Sequence, residues 1–288
     1  MRLISDVGEM RHLCRGIVAR REELALVPTM GALHAGHLAM VRQAVESRLP
    51  VVVSIFVNPT QFGPDEDYHR YPRTPEKDLA ALDDIGGVDA VFTPGVGDMY
   101  PDGTDALVTE VTVTDLSDHL CGAFRPGHFK GVATVVTKLF NICVPTVAFF
   151  GKKDAQQYVI LKRMARDLSF GIEIVGVETV RENDGLALSS RNNYLTAQER
   201  EQATVLYQAV RAARDEILKG ETRSDVLVEQ MTGIVDAAPL ARLQYADVVS
   251  VSTLKPRARF DSGEEVLAAL AVYFGSTRLI DSAFVTVP

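Results

Sequence analysis

Two histidines three residues apart, His34 and His37, follow a short apolar run and stand at the predicted start of a helix. The segment from residue 28 to residue 37 reads Pro-Thr-Met-Gly-Ala-Leu-His-Ala-Gly-His. The first turn of a helix offers N–H groups and the positive end of the helix dipole, which together favour an anion. Imidazole N–H groups beside them donate hydrogen bonds to phosphate oxygens. The segment therefore predicts a phosphate-binding loop, in which Gly36 lets the backbone approach the ligand closely.

Other interpretations of the two histidines remain open. A histidine near a helix start is often a helix cap or a surface residue. A zinc pair of the metalloprotease type needs histidines at i and i+4 with a glutamate between them, and this segment has neither feature. The loop also lacks the GxGxxG pattern of dinucleotide-binding turns and the GxxxxGK[ST] pattern of an ordinary P-loop.

Two later segments also carry residues suited to a polyphosphate. Gly151-Lys-Lys-Asp154 follows an apolar run and opens a helix, so a lysine can place its charge on phosphate and Asp154 can accept ribose hydroxyls. In Ser189-Ser190-Arg191, the guanidinium can form a bidentate fork with phosphate oxygens. Alone, the first segment is equally typical of a solvated helix start, and the second of a polar linker.

The segment Asn58-Pro-Thr-Gln61 leaves the next predicted strand at the same edge of the sheet. Its amides are suited to the carboxylate and hydroxyl groups of a small polar substrate. The stretch 65–73 that follows is polar and flanked by prolines, which predicts a mobile lid. A charged surface loop is the alternative for that stretch.

Strand-like and helix-like segments alternate through the first 180 or so residues, which predicts a parallel sheet covered by helices. Strands are expected at 24–27, 51–57, 89–94, 147–150 and 172–177, and helices at 38–48, 75–86 and 155–168. Beyond residue 183 the pattern changes. Thr196 and Glu199 form a capping box that opens a long helix to about residue 217, followed by a helix over 224–237. Strands are then expected at 244–251, 265–274 and 277–287. We predict two domains, 1–183 (α/β) and 184–288 (smaller, α+β).

Composition limits the class of protein. The 288 residues carry a formal net charge of −8, which argues against a dedicated nucleic-acid binder because such proteins need a basic surface. The three cysteines are odd in number and widely spaced, so neither a disulfide framework nor a zinc knuckle is indicated. The first residues lack the apolar core of a signal peptide, and no apolar run reaches the roughly 20 residues that span a bilayer. A cytoplasmic protein without membrane contact is expected.

In this order, the segments PTMGALHAGH, FVNPTQF, GKKDAQQ and LALSSRNNYL resemble the signatures of the pantothenate synthetases, the ATP-dependent pantoate–β-alanine ligases. The resemblance extends over essentially the whole chain. It implies a Rossmann-like, doubly wound N-terminal domain, a smaller lid domain and a homodimer in the cytoplasm. It also implies ATP as a substrate together with Mg²⁺, and joining of pantoate to β-alanine through a pantoyl adenylate, with release of pyrophosphate and AMP.

The resemblance also assigns roles to residues. His37 is implied as the proton donor, His34 as its companion at the phosphates and Lys153 as a phosphate-binding cation. Gln61 is implied to bind pantoate and β-alanine, and Gln157 to bind pantoate. No protein ligand to a metal is implied. The implied ATP-binding residues are Met30, Gly31, Ala32, Leu33, His34, Ala35, Gly36, His37, Gly151, Lys152, Lys153, Asp154, Val180, Leu188, Ser189, Ser190 and Arg191.

The segment Val108–Val113 alternates in β-like fashion outside the strand–helix rhythm. We expect it to pair across a two-fold axis in the implied homodimer, with an ordinary sheet edge or hairpin inside one subunit as the alternative.

Two rival functions also stay open. A cytidylyl- or adenylyltransferase that transfers a nucleotide and stops would share the HxGH segment. A nucleotide-sensing module without turnover is a second rival, although a sensor has no need of so many phosphate-directed side chains.

Overall fold

The computed structural model describes residues 1–20, 22–64 and 66–288, so Asp65 of the predicted lid lies outside the described residues. The chain forms two compact units. Unit 1 comprises Met1–Ser117, Arg125–Lys152 and Ile160–Glu178, and unit 2 comprises Asp118–Phe124, Lys153–Val159 and Thr179–Pro288. The predicted domain border at 183/184 stays a prediction.

Unit 1 contains a six-stranded parallel sheet in the order β1-β4-β3-β2-β5-β6. Its strands are β1 (Arg2–Ile4), β2 (Ala25–Thr29), β3 (Val51–Ile55), β4 (Ala90–Phe92), β5 (Val147–Gly151) and β6 (Glu173–Val177). The chain's helices up to β6 are α1 (Val7–Ala19), α2 (Ala35–Glu46), α3 (Pro75–Ile85), α4 (Val96–Met99), α5 (Cys121–Phe124), α6 (His128–Cys143) and α7 (Ala155–Asp167), of which α5 and the first turn of α7 belong to unit 2. The predicted doubly wound α/β class is confirmed. β1, α1 and α6 were not anticipated from the sequence.

The sheet is buried on both faces, which explains its continuous apolar strands. Val27 and Val53 lie in a core cluster with Val41 of α2. Leu26 and Val52 are just as buried, but their side chains point the other way because side chains alternate along a strand. Apolar runs of this kind are typical of parallel strands covered by helices on both sides.

The strand order reverses between β2 and β5. From β2 the chain moves outward through β3 and β4, and β5 and β6 lie on the other side of β2. In open α/β sheets, ligands bind beyond the carboxyl ends of the strands at this reversal. The loops that leave Thr29 and Gly151 begin there.

Unit 2 is built on an antiparallel sheet in the order β7-β8-β9. Its elements after residue 178 are α8 (Ala197–Gln202), α9 (Val205–Leu218), α10 (Ser224–Asp236), β7 (Ala241–Ser250), β8 (Glu265–Phe274) and β9 (Thr277–Thr286). Leu206 and Ile217 of α9 and Leu227 of α10 pack with sheet residues such as Leu270 in one core.

The long helix predicted from the capping box to about residue 217 was wrong in one respect. The capping box is present, with Thr196 N and Glu199 Oε2 2.8 Å apart. The helix, however, ends at Gln202 and a second one begins at Val205. Between them, the Thr204 hydroxyl donates to the Glu201 carbonyl at 3.1 Å. A threonine that bonds back to the preceding turn competes with regular helix hydrogen bonding.

Residues 108–113 form no strand. Val108 is 96% exposed, and the Val111 amide donates to the Thr134 hydroxyl at 2.9 Å. Within the described part of the chain, the intrasubunit alternative of a sheet edge or hairpin is therefore not formed.

All three cysteines carry free thiols, and all three are buried. They are Cys14 in α1, Cys121 in α5 and Cys143 at the end of α6. Cys14 donates to the Met10 sulfur at 3.5 Å. In the described residues, no helix combines the length and apolar character needed to cross a membrane.

Candidate active site

The loop after β2 takes its shape from two left-handed residues and one buried carboxylate. Gly31 has φ 80° and Ala32 has φ 49°. This turns the amides of Ala32 and Leu33 toward Asp78 of α3, whose carboxylate accepts from both at 2.9 and 2.8 Å. Asp78 is 2% exposed and also accepts from the Thr74 hydroxyl at 3.0 Å. Backbone N–H groups arranged in this way favour an anion, and here the protein supplies one itself.

His34 and His37 form a reciprocal cap at the start of α2. His34 Nδ1 accepts from the Gly36 amide at 3.1 Å, and His37 Nδ1 accepts from the His34 amide at 3.3 Å. The two rings lie 4.0 Å apart between centroids. Because each Nδ1 accepts, the proton of each neutral ring sits on Nε2, which makes Nε2 the donor. The helix-cap interpretation of the two histidines is thus observed.

Gly36 leaves room for the His34 ring at this cap. A Cβ at residue 36 would lie 3.0 Å from Cε1 and 3.1 Å from Nδ1 of the His34 ring. The sequence predicted glycine here so that the backbone could approach a ligand closely. The structure adds a second reason, because the His34 ring packs against this glycine.

The loop after β3 brings Gln61 to the same sheet edge as Met30. Gln61 Nε2 lies 3.2 Å from the sulfur of Met30, and Gln61 is 8% exposed. Its side-chain oxygen accepts from Asn58 Nδ2 at 3.2 Å. Two residues from different predicted segments are thus neighbours, as the parallel strand arrangement requires.

The backbone of Gln61 is held by a chain of polar side chains. The Gln61 carbonyl lies 2.7 Å from Nδ1 of His128, at the start of α6, so this nitrogen carries the proton. Nε2 of His128 therefore accepts from Arg125 at 2.9 Å. Arg125 forms a bidentate pair with Glu66 of the lid stretch, with both contacts at 2.6 Å.

The two lysines after β5, Lys152 and Lys153, belong to different units. Gly151 and Lys152 belong to unit 1, where Lys152 forms an ion pair with the exposed Glu178. Lys153, Asp154 and Gln157 belong to unit 2. Lys153 is half-buried, and among the described residues no carboxylate lies within ion-pairing distance of its ammonium.

In unit 2, Val180 and Leu188 face each other across a short hairpin. The Leu188 amide donates to the Val180 carbonyl at 3.0 Å, and the Glu182 amide donates to the Leu186 carbonyl at 2.8 Å. Arg181 in the hairpin forms a bidentate pair with the buried Asp281 of β9, at 2.6 and 2.9 Å.

Ser189, Ser190 and Arg191 directly follow this hairpin. The Ser189 hydroxyl caps a turn of 3-10 helix by accepting from the Arg191 amide at 3.3 Å. The next residue, Asn192, donates to the Ala187 carbonyl at 3.1 Å. The turn that carries the guanidinium is therefore fixed to the hairpin.

Several residues that build the site were missed by the sequence reasoning. Asp78 and the Arg125–His128 pair act by contacts with distant segments. So does Tyr100, whose hydroxyl donates to Asn58 Oδ1 at 2.7 Å. The only local signal was Arg125-Pro-Gly-His128 before an apolar helix, which resembles the Ala-Gly-His start of α2. Among the described residues, no group of three or more histidine, cysteine, aspartate or glutamate side chains is arranged to hold a metal ion.

The fold and this site define a doubly wound α/β enzyme with polar ligand-binding loops at the reversal of its strand order. The pantoate–β-alanine ligase family model matches residues 2–284. The chain belongs to this family and is a ligase.

The similarity to known proteins extends over nearly the full chain. The pantothenate synthetase of Salinibacter ruber is 56% identical over 292 residues, covering 100% of this chain and 99% of its own. The structure of pantothenate synthetase from Thermus thermophilus has a TM-score of 0.90 at 46% identity, covering 98% of this chain and 99% of its own. The pantoate–β-alanine ligase of Francisella tularensis, complexed with "Beta-gamma ATP" and β-alanine, has a TM-score of 0.76 at 32% identity, covering 98% and 97%.

Proposed function

We propose that the enzyme condenses (R)-pantoate with β-alanine through a pantoyl-adenylate intermediate. In the first step a pantoate carboxylate oxygen attacks the α-phosphorus of ATP, and pyrophosphate leaves. In the second step the β-alanine amine attacks the acyl carbon, loses a proton and displaces AMP. The observation that carries the proposal is the histidine-capped helix start at the strand reversal, beside a glutamine whose amide is fixed.

Family membership supports the choice of substrates. The Francisella tularensis relative was crystallised with an ATP species and β-alanine. Both chemical steps use nucleophiles that the substrates bring, so the protein's task is to place two anions together and stabilise charge on phosphate oxygens. Hydrogen-bond donors and cations are the groups such a task needs.

We assign the phosphate-stabilising roles to His34, His37 and Lys153, with His37 as proton donor. The tautomers set by the reciprocal cap support this assignment, because they put the donor hydrogen of each ring on Nε2. The residues proposed to bind ATP are those named from the resemblance, 30–37, 151–154, 180 and 188–191. The amides of Ala32 and Leu33 are used by Asp78, so these two residues would contribute contacts other than N–H donation.

Gln61 is proposed to bind both pantoate and β-alanine, and Gln157 to bind pantoate. A fixed amide at residue 61 suits a substrate with hydroxyl and carboxylate oxygens. Mg²⁺ would arrive with ATP and neutralise its phosphate charge, since this ion is usually held by substrate phosphates and few protein carboxylates. No protein ligand to Mg²⁺ is proposed.

The test is ATP–pyrophosphate exchange with wild-type enzyme. We expect exchange to need pantoate and Mg²⁺ but not β-alanine, and AMP release to need all substrates. Exchange that stays absent until β-alanine is added would refute the adenylate intermediate. Nucleotide transfer to an acceptor without AMP release would support the nucleotidyltransferase rival, and ATP binding without any turnover would support a sensor.

A homodimer in the cytoplasm is also part of the proposal. The support for the dimer is family resemblance and the segment 108–113, which is most exposed at Val108 and pairs with no strand in the described residues. The cytoplasmic location rests on the family resemblance and on cysteine usage without a disulfide pattern.

A further inference from the structure

The side chain of Gln61 is held by a buried network of hydrogen bonds. Its oxygen accepts from Asn58 Nδ2 at 3.2 Å, and the same nitrogen donates to the Gly131 carbonyl of α6 at 3.2 Å. Asn58 is 1% exposed. On the other side of the Asn58 amide, Oδ1 accepts from the hydroxyls of Thr60 at 3.1 Å and Tyr100 at 2.7 Å.

The orientation of the two amides follows from chemistry. A backbone carbonyl can only accept, so the end of the Asn58 amide that faces Gly131 must be its NH₂ group. The atom of Gln61 that faces this NH₂ group must then be an oxygen. Consequently the NH₂ group of Gln61 points the other way, toward Met30, from which its distance is 3.2 Å.

Tyr100 lies on the other side of the Asn58 amide, with its hydroxyl 2.7 Å from Oδ1. It directly follows α4, is 2% exposed, and its ring lies 6.3 Å from that of Phe56 and 5.2 Å below the Lys138 ammonium. With Asn58 Oδ1 turned toward it, the phenol must donate. Burial raises the pKa of Tyr100, partly offset by its contact with Thr60, so the phenol keeps its proton well into the alkaline range.

We propose that Tyr100 is a positioning residue for the acid substrate: together with the Gly131 carbonyl, its hydroxyl holds the amide of Asn58, which makes Gln61 present only hydrogen-bond donors to pantoate. This inference rests on the proposed function, because it deepens the role given to Gln61. Tyr100 is proposed to act through Asn58, to which its hydroxyl donates. Gln61 then recognises a lone pair on a carboxylate or hydroxyl oxygen of the acid, and would repel a substrate that offers a donor there.

The first experiment compares Tyr100→Phe with wild type in ATP–pyrophosphate exchange. Phenylalanine keeps the ring contacts and removes only the hydroxyl. We expect the KM for pantoate to rise about fivefold, the effect of one neutral hydrogen bond, and the KM for ATP to stay within about twofold. The matched control is Tyr273→Phe on β8, whose ring stacks on Arg242 and should keep doing so, leaving both constants unchanged.

Two results would overturn the proposal. One is a KM for pantoate within about twofold of wild type in Tyr100→Phe. The other is an equal rise in both KM values, which would indicate a general structural role. Failure of the proposed function itself is seen separately, as wild-type enzyme without pantoate-dependent exchange.

A second experiment changes the acidity of the Tyr100 hydroxyl without removing it. A fluorinated tyrosine at position 100 ionises at lower pH and then can no longer donate to Asn58. We expect the KM for pantoate in this variant to begin rising at a lower pH than in wild type, while the KM for ATP follows the wild-type profile. Coinciding pantoate profiles would overturn the proposal. If Tyr100→Phe does not fold, this comparison decides alone.

Discussion

Lys153 can distinguish the two interpretations of the segment after β5, which are phosphate binding and a solvated helix start. If Lys153 binds phosphate as proposed, Lys153→Ala should lower the rate of pyrophosphate release at saturating substrates about a hundred- to a thousandfold, because one electrostatic donor to the reacting phosphates is removed. Lys152→Ala should lose far less, since Glu178 already pairs with its ammonium. If Lys153→Ala keeps more than about a third of the wild-type rate, the assignment of this lysine is wrong. Melting temperatures of both variants show whether any loss comes from unfolding.

Asp78 holds the loop after β2 by accepting from the amides of Ala32 and Leu33. In Asp78→Asn the NH₂ group would face an amide donor, and a buried charge-assisted hydrogen bond is lost. We expect the free energy of unfolding in urea to fall by about 2–3 kcal/mol. We also expect the KM for ATP to rise. Asp84→Asn on the exposed side of the same helix is the control and should change neither quantity. Equal behaviour of the two variants would contradict the role of Asp78.

Candidate site residues are easier to predict from the sequence than the contacts that position them. Met30 and Gln61 could be placed together, because parallel strands end at one sheet edge. Asp78 could not be connected with Ala32, since 46 residues separate them and nothing local marks the contact. The tautomers of His34 and His37 likewise depend on backbone donors that only the folded turn supplies.

The contact between α6 and the turn at 59–61 involves almost no free space. A Cβ at Gly131 would lie 2.3 Å from the Thr60 carbonyl oxygen. Gly131→Ala should therefore displace the turn that carries Gln61, lower stability by about 1–3 kcal/mol and raise the KM for pantoate. Gly233→Ala in α10 is the control, because nothing lies within 4 Å of its Cβ position. That substitution should raise stability by about 0.5–1 kcal/mol. Tolerance of alanine at 131 would contradict the tight contact.

The lid stretch is attached through Glu66 to Arg125, which lies just before α6, and this attachment should depend on pH. Burial raises the pKa of Glu66, but hydrogen bonding to Arg125 and the charge of Arg125 outweigh it, so the net pKa is lowered. A lowered folded-state pKa gives stability that is present above the unfolded value and lost as pH falls through the folded value. Glu66→Gln should therefore cost about 1–2 kcal/mol at pH 7, and the difference from wild type should shrink below about pH 4.

A matched control for this pH effect is Glu110→Gln. Glu110 pairs with Lys130 on the surface, with both side chains about two-fifths exposed. Exposed ion pairs contribute little, so this variant should stay close to wild type at every pH. A difference between Glu66→Gln and wild type that is independent of pH would contradict the ionic attachment.

At the level of elements, long periodic segments were predictable and short or interrupted ones were not. The bounds of α3, α10 and β8 differ from expectation by at most a residue or so, because their patterns are long and regular. β1 has only three residues, too few for a period to be recognised. At the break between α8 and α9 the Thr204 hydroxyl donates back to the Glu201 carbonyl, a contact that a hydrophobic pattern does not register.

At the level of the whole molecule, we expect light scattering to give twice the 31.5 kDa of one chain at micromolar concentration. A strand that pairs across a two-fold axis would bury Val108, so Val108→Glu should yield monomers. Val18→Glu, at an exposed position of α1, is the control and should leave the mass unchanged. A monomeric wild type, or a Val108→Glu variant that stays dimeric, would contradict the proposed pairing.

The burial of every native thiol has a practical consequence for measuring motion in solution. Because Cys14, Cys121 and Cys143 are all shielded, a cysteine introduced on the surface should react first with a maleimide dye. Arg70→Cys, at an exposed position of the lid stretch, would place one fluorophore there without prior removal of the native cysteines. Its emission during a single turnover would then follow the lid stretch in time, which no static structure does.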